Sequence, residues 1–208
     1  MARLNKNSYE RMSYSELRPA VYAVVVDMIN GFAKEGTLAD PRILETAAPI
    51  AGLLEQTRPE TLFLRDCHEP ECTEFESFPP HCLKGSAESE IIEELKDFEG
   101  QIIEKNAISA FGTKAMQKWA DDVKDGSDVV VTGCCTDLCV LQFVLPLRSW
   151  LNEKGKKDVR IIVPADCVET YHIDGIHNAA DWNTFALMNM EMNGVKVIAG
   201  FEPKGTEK

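Results

Sequence analysis

Three residues of the chain could together carry out nucleophilic catalysis: Asp27, Lys105 and Cys139. A cysteine attacks as its thiolate, and a nearby carboxylate can take the thiol proton and later give it to a leaving group. A lysine nearby would keep that carboxylate ionised and help to orient it. The segment that begins at Gly133 could place Cys139 near a helix N-terminus, whose dipole lowers the pKa of a thiol. Because buried cysteines are common and Asp and Lys often end strands, a purely structural role is the alternative.

A second group of residues, in the loop over residues 66–81, could bind a metal ion or could form a solvated acidic loop. Asp66 and His68 make an Asp-x-His pattern, and His81 follows 13 residues after His68. Nitrogen and carboxylate ligands of this kind suit zinc, manganese or iron. Glu74 could complete the set, but three other glutamates compete with it and three cysteines offer further ligands. These competitors are Glu69, Glu71, Glu76, Cys67, Cys72 and Cys82.

Aromatic side chains in the loops near these groups could hold a planar substrate by stacking. The candidates are Phe32, Phe75, Phe78 and Phe111. For any one of these residues taken singly, a structural role in covering the hydrophobic core explains its presence at least as well. His172 and His177 lie farther along the chain, and we interpret both as packing or capping residues outside the site.

Six short, β-branched apolar runs are predicted to form the strands that position these groups. Continuous runs of this length are typical of strands that are buried on both faces. The runs are Val21–Val26, Thr61–Arg65, Gln101–Ile103, Asp128–Thr132, Val159–Val163 and Val195–Ile198. Helical patterns lie between them, at about residues 40–54, 88–95, 114–123, 136–150 and 175–192.

This alternation predicts a three-layer α/β fold, with a six-stranded, mostly parallel sheet and helices on both faces. In such a sheet, ligands bind beyond the carboxyl ends of the strands. Asp27, Asp66 and Lys105 follow the first three predicted strands, and the segment Gly133–Cys139 follows the fourth. The fold therefore predicts that the reactive groups meet at one edge of the sheet.

Composition narrows the class of protein. The chain has 208 residues, 44% of them hydrophobic, and a net charge of −12. One domain is predicted over residues 1–208, with its core at about residues 20–200. The negative charge argues against binding to nucleic acid or to an anionic membrane. No apolar stretch is long enough for a signal peptide or a membrane span, so we expect a cytoplasmic protein whose seven cysteines are thiols.

Four segments, in this order along the chain, resemble the isochorismatase-like cysteine hydrolases and, within them, the nicotinamidases. The segments are AVVVDMINGF with Asp27, RDCHEPECTEFESFPPHCLKG with Asp66, EKNAISAF with Lys105, and VTGCCTDLCV with Cys139. Each segment alone is a modest signal, but all four in order, from about Val21 to Ile198, make a strong one. The resemblance implies the isochorismatase-like, Rossmann-like form of the three-layer fold.

The resemblance also implies a mechanism. Cys139 would attack an amide carbonyl and form a thioester, Asp27 would move the protons, and Lys105 would hold both groups in place. The backbone N–H groups of Cys135 and Cys139 would form the oxyanion hole, beside a cis peptide bond between Cys134 and Cys135.

The family resemblance further implies one divalent metal ion, with zinc the first choice and manganese or iron the alternatives. Its ligands would be Asp66, His68, Glu74 and His81, and the metal would hold the pyridine nitrogen of the substrate. Glu74 is preferred to Glu76 because it stands seven residues before His81, as in the family members that use glutamate. The substrate ring would pack against two aromatic side chains, Phe32 and Phe78.

The expected function is therefore hydrolysis of nicotinamide to nicotinate and ammonia, in NAD salvage. The expected partner is a small carboxamide, and family members are often multimers, although the sequence carries no interface signature for a homo-oligomer. A cysteine amidohydrolase for another small amide is one alternative, and a non-catalytic metal-binding or scaffold protein is another. Ile108 and the pair Cys134–Cys135 depart from residues that are frequent in nicotinamidases, which bears on the ring pocket more than on the chemistry.

Overall fold

A computed structural model describes residues 6–202 of the chain, and the ends of the predicted domain, residues 1–5 and 203–208, lie outside this range. The strands are β1 (Arg11–Met12), β2 (Val21–Val26), β3 (Glu60–Asp66), β4 (Gln101–Lys105), β5 (Asp128–Cys134), β6 (Arg160–Pro164), β7 (Val168–Glu169), β8 (Lys196–Ile198) and β9 (Gly200–Phe201). The helices are α1 (Asn30–Ala33), α2 (Pro41–Leu44), α3 (Ala47–Thr57), α4 (Lys114–Asp122), α5 (Leu141–Glu153) and α6 (Ala179–Met192).

The main sheet has the strand order β4-β3-β2-β5-β6-β8, and β7 pairs with β5 beside this path. Every pair of strands in this sheet is parallel. The six strands of the path coincide with the six predicted apolar runs, so the predicted α/β fold is confirmed. The apolar pattern does not indicate β1, β7 and β9, because each has only two residues.

Alternate residues of β2 pack into cores on opposite faces of the sheet. Val24 shares a buried cluster with Phe143 of α5, together with side chains from α4 and α6. Val25 shares a second cluster with Ile50 of α3. β2 lies between β3 and β5, so both of its faces are covered and its sequence is apolar throughout.

The prediction of a helix at residues 88–95 is wrong. The backbone of this segment makes hydrogen bonds to the chain that follows β2, and its local bonds form only short turns and no continuous helix. The N–H of Asn30 donates to O of Glu90 at 2.9 Å, and the N–H of Ile92 donates to O of Met28 at 3.1 Å. Ile92 is fully buried, so the apolar spacing reports burial without a helix. Tertiary contacts have overridden the local helical pattern.

The other predicted helices form with shifted bounds. The pattern at residues 40–54 becomes two helices, α2 and α3, with Asp40 capping the first. The last helix begins at Ala179, later than expected. Pro146 lies inside α5 and has no N–H to offer the carbonyl of Gln142 four residues earlier. Oγ of Ser109 donates to that carbonyl at 2.9 Å and replaces the missing bond.

Two further expectations concern membranes and disulfides. Within residues 6–202, no helix combines the length and the apolar character that crossing a membrane requires. The seven cysteines all lie in this range and are free thiols, as predicted.

Candidate active site

The three predicted catalytic residues lie together at the carboxyl end of the sheet. Nζ of Lys105 is 2.8 Å from Oδ2 of Asp27 and 3.8 Å from Sγ of Cys139. All three residues are buried. A carboxyl group, an ammonium group and a thiol therefore share one site from which bulk water is excluded, which is the arrangement that proton transfer from a thiol requires.

The backbone of β3 fixes the direction of the Asp27 carboxylate. Asp27 has a left-handed conformation with φ of 50°, which is uncommon for a residue other than glycine. Its N–H donates to O of Leu64 at 2.9 Å. Its Oδ1 accepts a hydrogen bond from the N–H of Asp66, also at 2.9 Å. Two hydrogen bonds from one neighbouring strand thus hold this residue in place.

Cys139 lies in a single wide turn, Thr136–Val140, that leads directly into α5; we call it the Cys139 turn. The peptide bond between Cys134 and Cys135 just before this turn is cis, as the family resemblance implied. Gly133 has φ of 106°, and a Cβ atom there would lie 1.9 Å from O of Val26. Only glycine therefore permits β5 to pass this close to β2 at the edge of the site.

Burial and nearby charges raise the pKa values of all three groups, but for different reasons. Burial and the neighbouring charge of Asp66 raise the pKa of Asp27 to about 7, against the opposing effect of Lys105. Burial acts to lower the pKa of Lys105, but the charges of Asp27 and Asp66 outweigh it and hold the pKa well above its ordinary value. Burial raises the pKa of Cys139 well above its ordinary value, although Lys105 opposes this. Cys139 does lie two residues before α5, and burial outweighs the effects that lower its thiol pKa.

The four predicted metal ligands also come together. Asp66, His68, Glu74 and His81 each offer one ligand atom, and these atoms lie within 4.8 Å of one another. Nε2 of His68 is 3.5 Å from Oδ1 of Asp66 and 3.8 Å from Oε1 of Glu74. Nε2 of His81 is 3.9 Å from the same Oε1 atom. The competing Glu76 is exposed and lies outside this group.

The donor atoms of the group fit a divalent cation. Nδ1 of His68 lies 3.2 Å from Oδ1 of Asn106, and Nδ1 of His81 lies 2.9 Å from O of Pro79. Because both acceptors face Nδ1, the ring proton belongs there and the Nε2 lone pairs are free to bind metal. Nε2 of His68 is buried with no hydrogen-bond partner among residues 6–202. Two imidazole nitrogens and two carboxylates suit zinc, manganese or iron.

The charges in this group also favour a cation. Burial acts to lower the pKa of His68, but the neighbouring Asp66 carboxylate, 3.5 Å from Nε2, outweighs it and raises the pKa to about 9. The group thus attracts positive charge, either as a proton or as a metal ion. Oε2 of Glu74 accepts a hydrogen bond from the N–H of Ile108 at 2.8 Å. Residue 108 therefore acts through its backbone, which isoleucine supplies as well as any other residue with an N–H.

A cavity of about 320 Å³ lies beside both groups of residues. Phe32 and Phe78 line it, and their ring centroids lie 5.6 and 6.3 Å from that of His81. Cys135, just before the Cys139 turn, and Leu138 within it also line the cavity. A flat molecule in this cavity would thus contact aromatic rings that pack against His81 and also the chain that carries Cys139.

The other two aromatic candidates, Phe75 and Phe111, do not line this cavity. Phe75 packs edge-on against His68 at a centroid distance of 5.3 Å. Phe111 packs against Phe143 and Trp150 in the core on the α5 side of the sheet.

Sequence reasoning missed several residues of the site. Asn106 holds His68, and its only signal was its position next to Lys105. Tyr171 lines the cavity, and His177 lies 2.9 Å from Asp137 of the Cys139 turn. These last two residues precede α6, far along the chain from every motif, so only the folded structure brings them to the site.

Several known proteins are similar to this chain in sequence or in fold. Nicotinamidase 1 of Arabidopsis thaliana is 30% identical over 164 residues, which cover 69% of this chain and 66% of the length of that protein. N-carbamoylsarcosine amidase from Thermoplasma acidophilum has a TM-score of 0.66 and 29% identity, covering 89% of this chain and 99% of its own. The pyrazinamidase of Pyrococcus horikoshii, solved in complex with zinc, shares the fold with a TM-score of 0.65 at 20% identity, covering 86% of this chain and 99% of its own.

The family itself follows from the match to the isochorismatase domain, which extends over residues 22–199. This range contains every predicted catalytic residue and every predicted metal ligand. With the parallel sheet and the buried groups at its carboxyl edge, the match shows that the chain belongs to the isochorismatase family.

Proposed function

We propose that the protein is a nicotinamidase, which hydrolyses nicotinamide to nicotinate and ammonia through a thioester on Cys139. The observation that carries the proposal is that Lys105 contacts both predicted halves of the site. Its Nζ atom is 2.8 Å from Asp27 and 3.8 Å from the Cys139 thiol, and it is 2.5 Å from Asp66, a predicted metal ligand. The proposed nucleophile Cys139 and the proposed metal ligand Asp66 thus lie next to the same lysine side chain.

The proposed reaction begins with transfer of the Cys139 thiol proton to Asp27. The thiolate sulfur then forms a bond to the carboxamide carbon of the substrate. Asp27 gives its proton to the amide nitrogen, the carbon–nitrogen bond breaks, and ammonia leaves. A water molecule then gives a proton to Asp27 and attacks the thioester carbon, and the carbon–sulfur bond breaks while Asp27 returns that proton to the sulfur. The nicotinic acid released ionises to nicotinate, and ammonia takes up its proton.

The electrostatics support these roles. A pKa of about 7 lets Asp27 accept a proton in one step and donate it in another near neutral pH. Lys105 stays charged and stabilises the thiolate as it forms, offsetting the burial that raises the thiol pKa. The backbone N–H groups of Cys135 and Cys139 are proposed to bind the oxyanion, and one such donor contributes about 3–4 kcal/mol to lowering a barrier.

The substrate ring is proposed to pack between Phe32 and Phe78. A divalent cation, zinc first with manganese or iron as alternatives, would be held by Asp66, His68, Glu74 and His81 and would supply a Lewis-acid contact for the pyridine nitrogen. Holding the ring at one end fixes the carboxamide at the other, which is catalysis by positioning. The zinc complex of the Pyrococcus horikoshii pyrazinamidase supports this choice of metal.

A second candidate is hydrolysis of another small amide, and the 29% identity to N-carbamoylsarcosine amidase favours it among the alternatives. The test is ammonia release from nicotinamide and from N-carbamoylsarcosine by purified protein of known metal content. Saturable release from nicotinamide alone, lost when a chelator removes the metal, is the expected result. Release from N-carbamoylsarcosine alone would overturn the proposed substrate in favour of the second candidate. No release from either amide by metal-loaded protein would favour a non-catalytic role.

A further inference from the structure

A buried hydrogen bond links the loop before α6 to the Cys139 turn. Nε2 of His177 lies 2.9 Å from Oδ2 of Asp137, which stands two residues before Cys139. The side chains are only 8% and 4% exposed, so solvent does not compete for this contact. Hydrogen bonds to charged groups are stronger than neutral ones, and more so where water is excluded.

The His177 ring is held from every side. Its Nδ1 lies 2.9 Å from O of Tyr171. The ring of Tyr171 stacks on one face at a centroid distance of 3.9 Å, and the ring of Trp182 is nearly parallel to it at 5.1 Å. The backbones of His177 and Ile173 also exchange two hydrogen bonds, at 2.8 and 2.9 Å. An imidazole clamped in this way has little freedom to move away from Asp137.

Asp137 in turn belongs to a tightly bonded segment. The N–H groups of Leu138 and Val140 both donate to O of Cys135, each at 3.1 Å. The Asp137 carboxylate is anchored from outside this segment by His177, and its other oxygen, Oδ1, is buried without a hydrogen-bond partner among residues 6–202. The contact between these two side chains thus ties the Cys139 turn to the loop before α6.

We infer that His177 is a positioning residue, which acts through Asp137 to hold the Cys139 turn and through stacking to hold Tyr171 at the cavity wall. It touches no reacting atom. This inference rests on the proposed function only in assigning Cys139 as the nucleophile. Displacing a reacting group by about 1 Å can reduce a rate by about 100-fold, so a remote clamp of this kind can control turnover.

The first experiment is a double-mutant cycle in ammonia release from nicotinamide. His177→Ala and Asp137→Ala are each expected to lower kcat by about tenfold or more, with KM changed less than about threefold. The double variant should be no slower than the slower single variant, because both changes break the same contact. Asp137→Asn, which still accepts a hydrogen bond from Nε2, should retain most of the wild-type kcat. Two results would overturn the inference. One is a double variant whose loss of kcat equals the product of the two single losses, and the other is a rise in KM with kcat unchanged.

The second experiment needs no substrate, so it separates this inference from the proposed function. Alkylation of Cys139 by iodoacetamide, followed by peptide mass mapping, should be about fivefold slower or more in His177→Phe than in wild type, because the thiol no longer faces Asp27 and Lys105. His177→Phe keeps a ring that can stack on Tyr171 and Trp182 but removes the Nε2 donor to Asp137, so it tests the contact if the alanine variant fails to fold. Asp122→Asn, at an exposed ion pair with Lys118, is the matched control and should react as wild type does. An unchanged or faster rate in His177→Phe would contradict the inference, whereas slow alkylation without turnover of nicotinamide would reject only the substrate.

Discussion

Oδ1 of Asp66 lies 2.5 Å from Nζ of Lys105 and accepts its hydrogen bond. Burial acts to raise the pKa of Asp66, but Lys105 and the neighbouring His68 together outweigh burial and lower it. The same ammonium group also pairs with Asp27. One buried cation thus pairs with two buried carboxylates, one in the predicted catalytic group and one in the predicted metal group.

Removing this cation should destabilise the fold as well as stop catalysis. In Lys105→Met, two buried carboxylates lose their partner, and breaking a buried ion pair typically costs about 3–5 kcal/mol. We expect the free energy of unfolding in urea to fall by that amount. Lys118→Met removes a cation from an exposed pair, where solvent screens the attraction, and should change the free energy far less. Equal effects in the two variants would show that the buried pairs contribute little.

Glu74 and Glu76 provide a matched test of the predicted metal site. Glu74→Gln replaces a carboxylate in the group of four, whereas Glu76→Gln changes an exposed side chain. Glu74→Gln should weaken metal binding by about 10-fold or more and raise KM for nicotinamide, and Glu76→Gln should leave both unchanged. The measurements are metal content after dialysis and initial rates of ammonia release. Loss of metal from the Glu76 variant instead would show that Glu76, and not Glu74, is the ligand.

Glu169 should make stability depend on pH. Its carboxylate is 3.0 Å from Nζ of Lys6 and accepts hydrogen bonds from the N–H of Thr170 at 2.9 Å and from Asn183 at 2.5 Å. Burial acts to raise the pKa of Glu169, but Lys6 and these bonds outweigh it and lower the pKa below its ordinary value of 4.5. The folded state therefore gains stability from this group above about pH 4.5, and loses it as pH falls through the lowered pKa.

The check is urea unfolding of wild type and Glu169→Gln across this pH range. The wild type should be more stable than the variant near pH 7, and the difference should shrink as the pH falls below about 4.5. Glu153→Gln replaces an exposed carboxylate at the end of α5, so it controls for the general effect of changing a carboxylate to an amide. A difference that stays constant with pH would mean that the Glu169 contacts do not depend on its charge.

The sheet could be predicted from the sequence because its strands are buried on both faces. Runs such as Val21–Val26 and Asp128–Thr132 have no other stable environment than the centre of a parallel sheet. The segment at residues 88–95 was mispredicted for the opposite reason. Its apolar residues are also buried, but its backbone bonds to residues 28–30, and no local pattern encodes a partner so far away in sequence.

The site was predictable where strand ends determine it. Asp27, Asp66 and Lys105 end strands that are neighbours in the sheet, so topology alone brings them together. The raised thiol pKa of Cys139 was not predictable, because it depends on how completely the folded chain buries the sulfur. The contact between His177 and Asp137 was hidden in the same way, since it joins two loops 40 residues apart.

The most direct test of the proposed cysteine mechanism compares ammonia release from nicotinamide by two cysteine variants. Cys139→Ala removes the proposed nucleophile, and Cys167→Ala removes a buried thiol that lies outside the proposed site. With equal metal content, we expect Cys139→Ala to lower kcat by about 1,000-fold or more and Cys167→Ala to keep turnover within a few-fold of wild type. Turnover by Cys139→Ala at a rate close to that of wild type would contradict the cysteine mechanism.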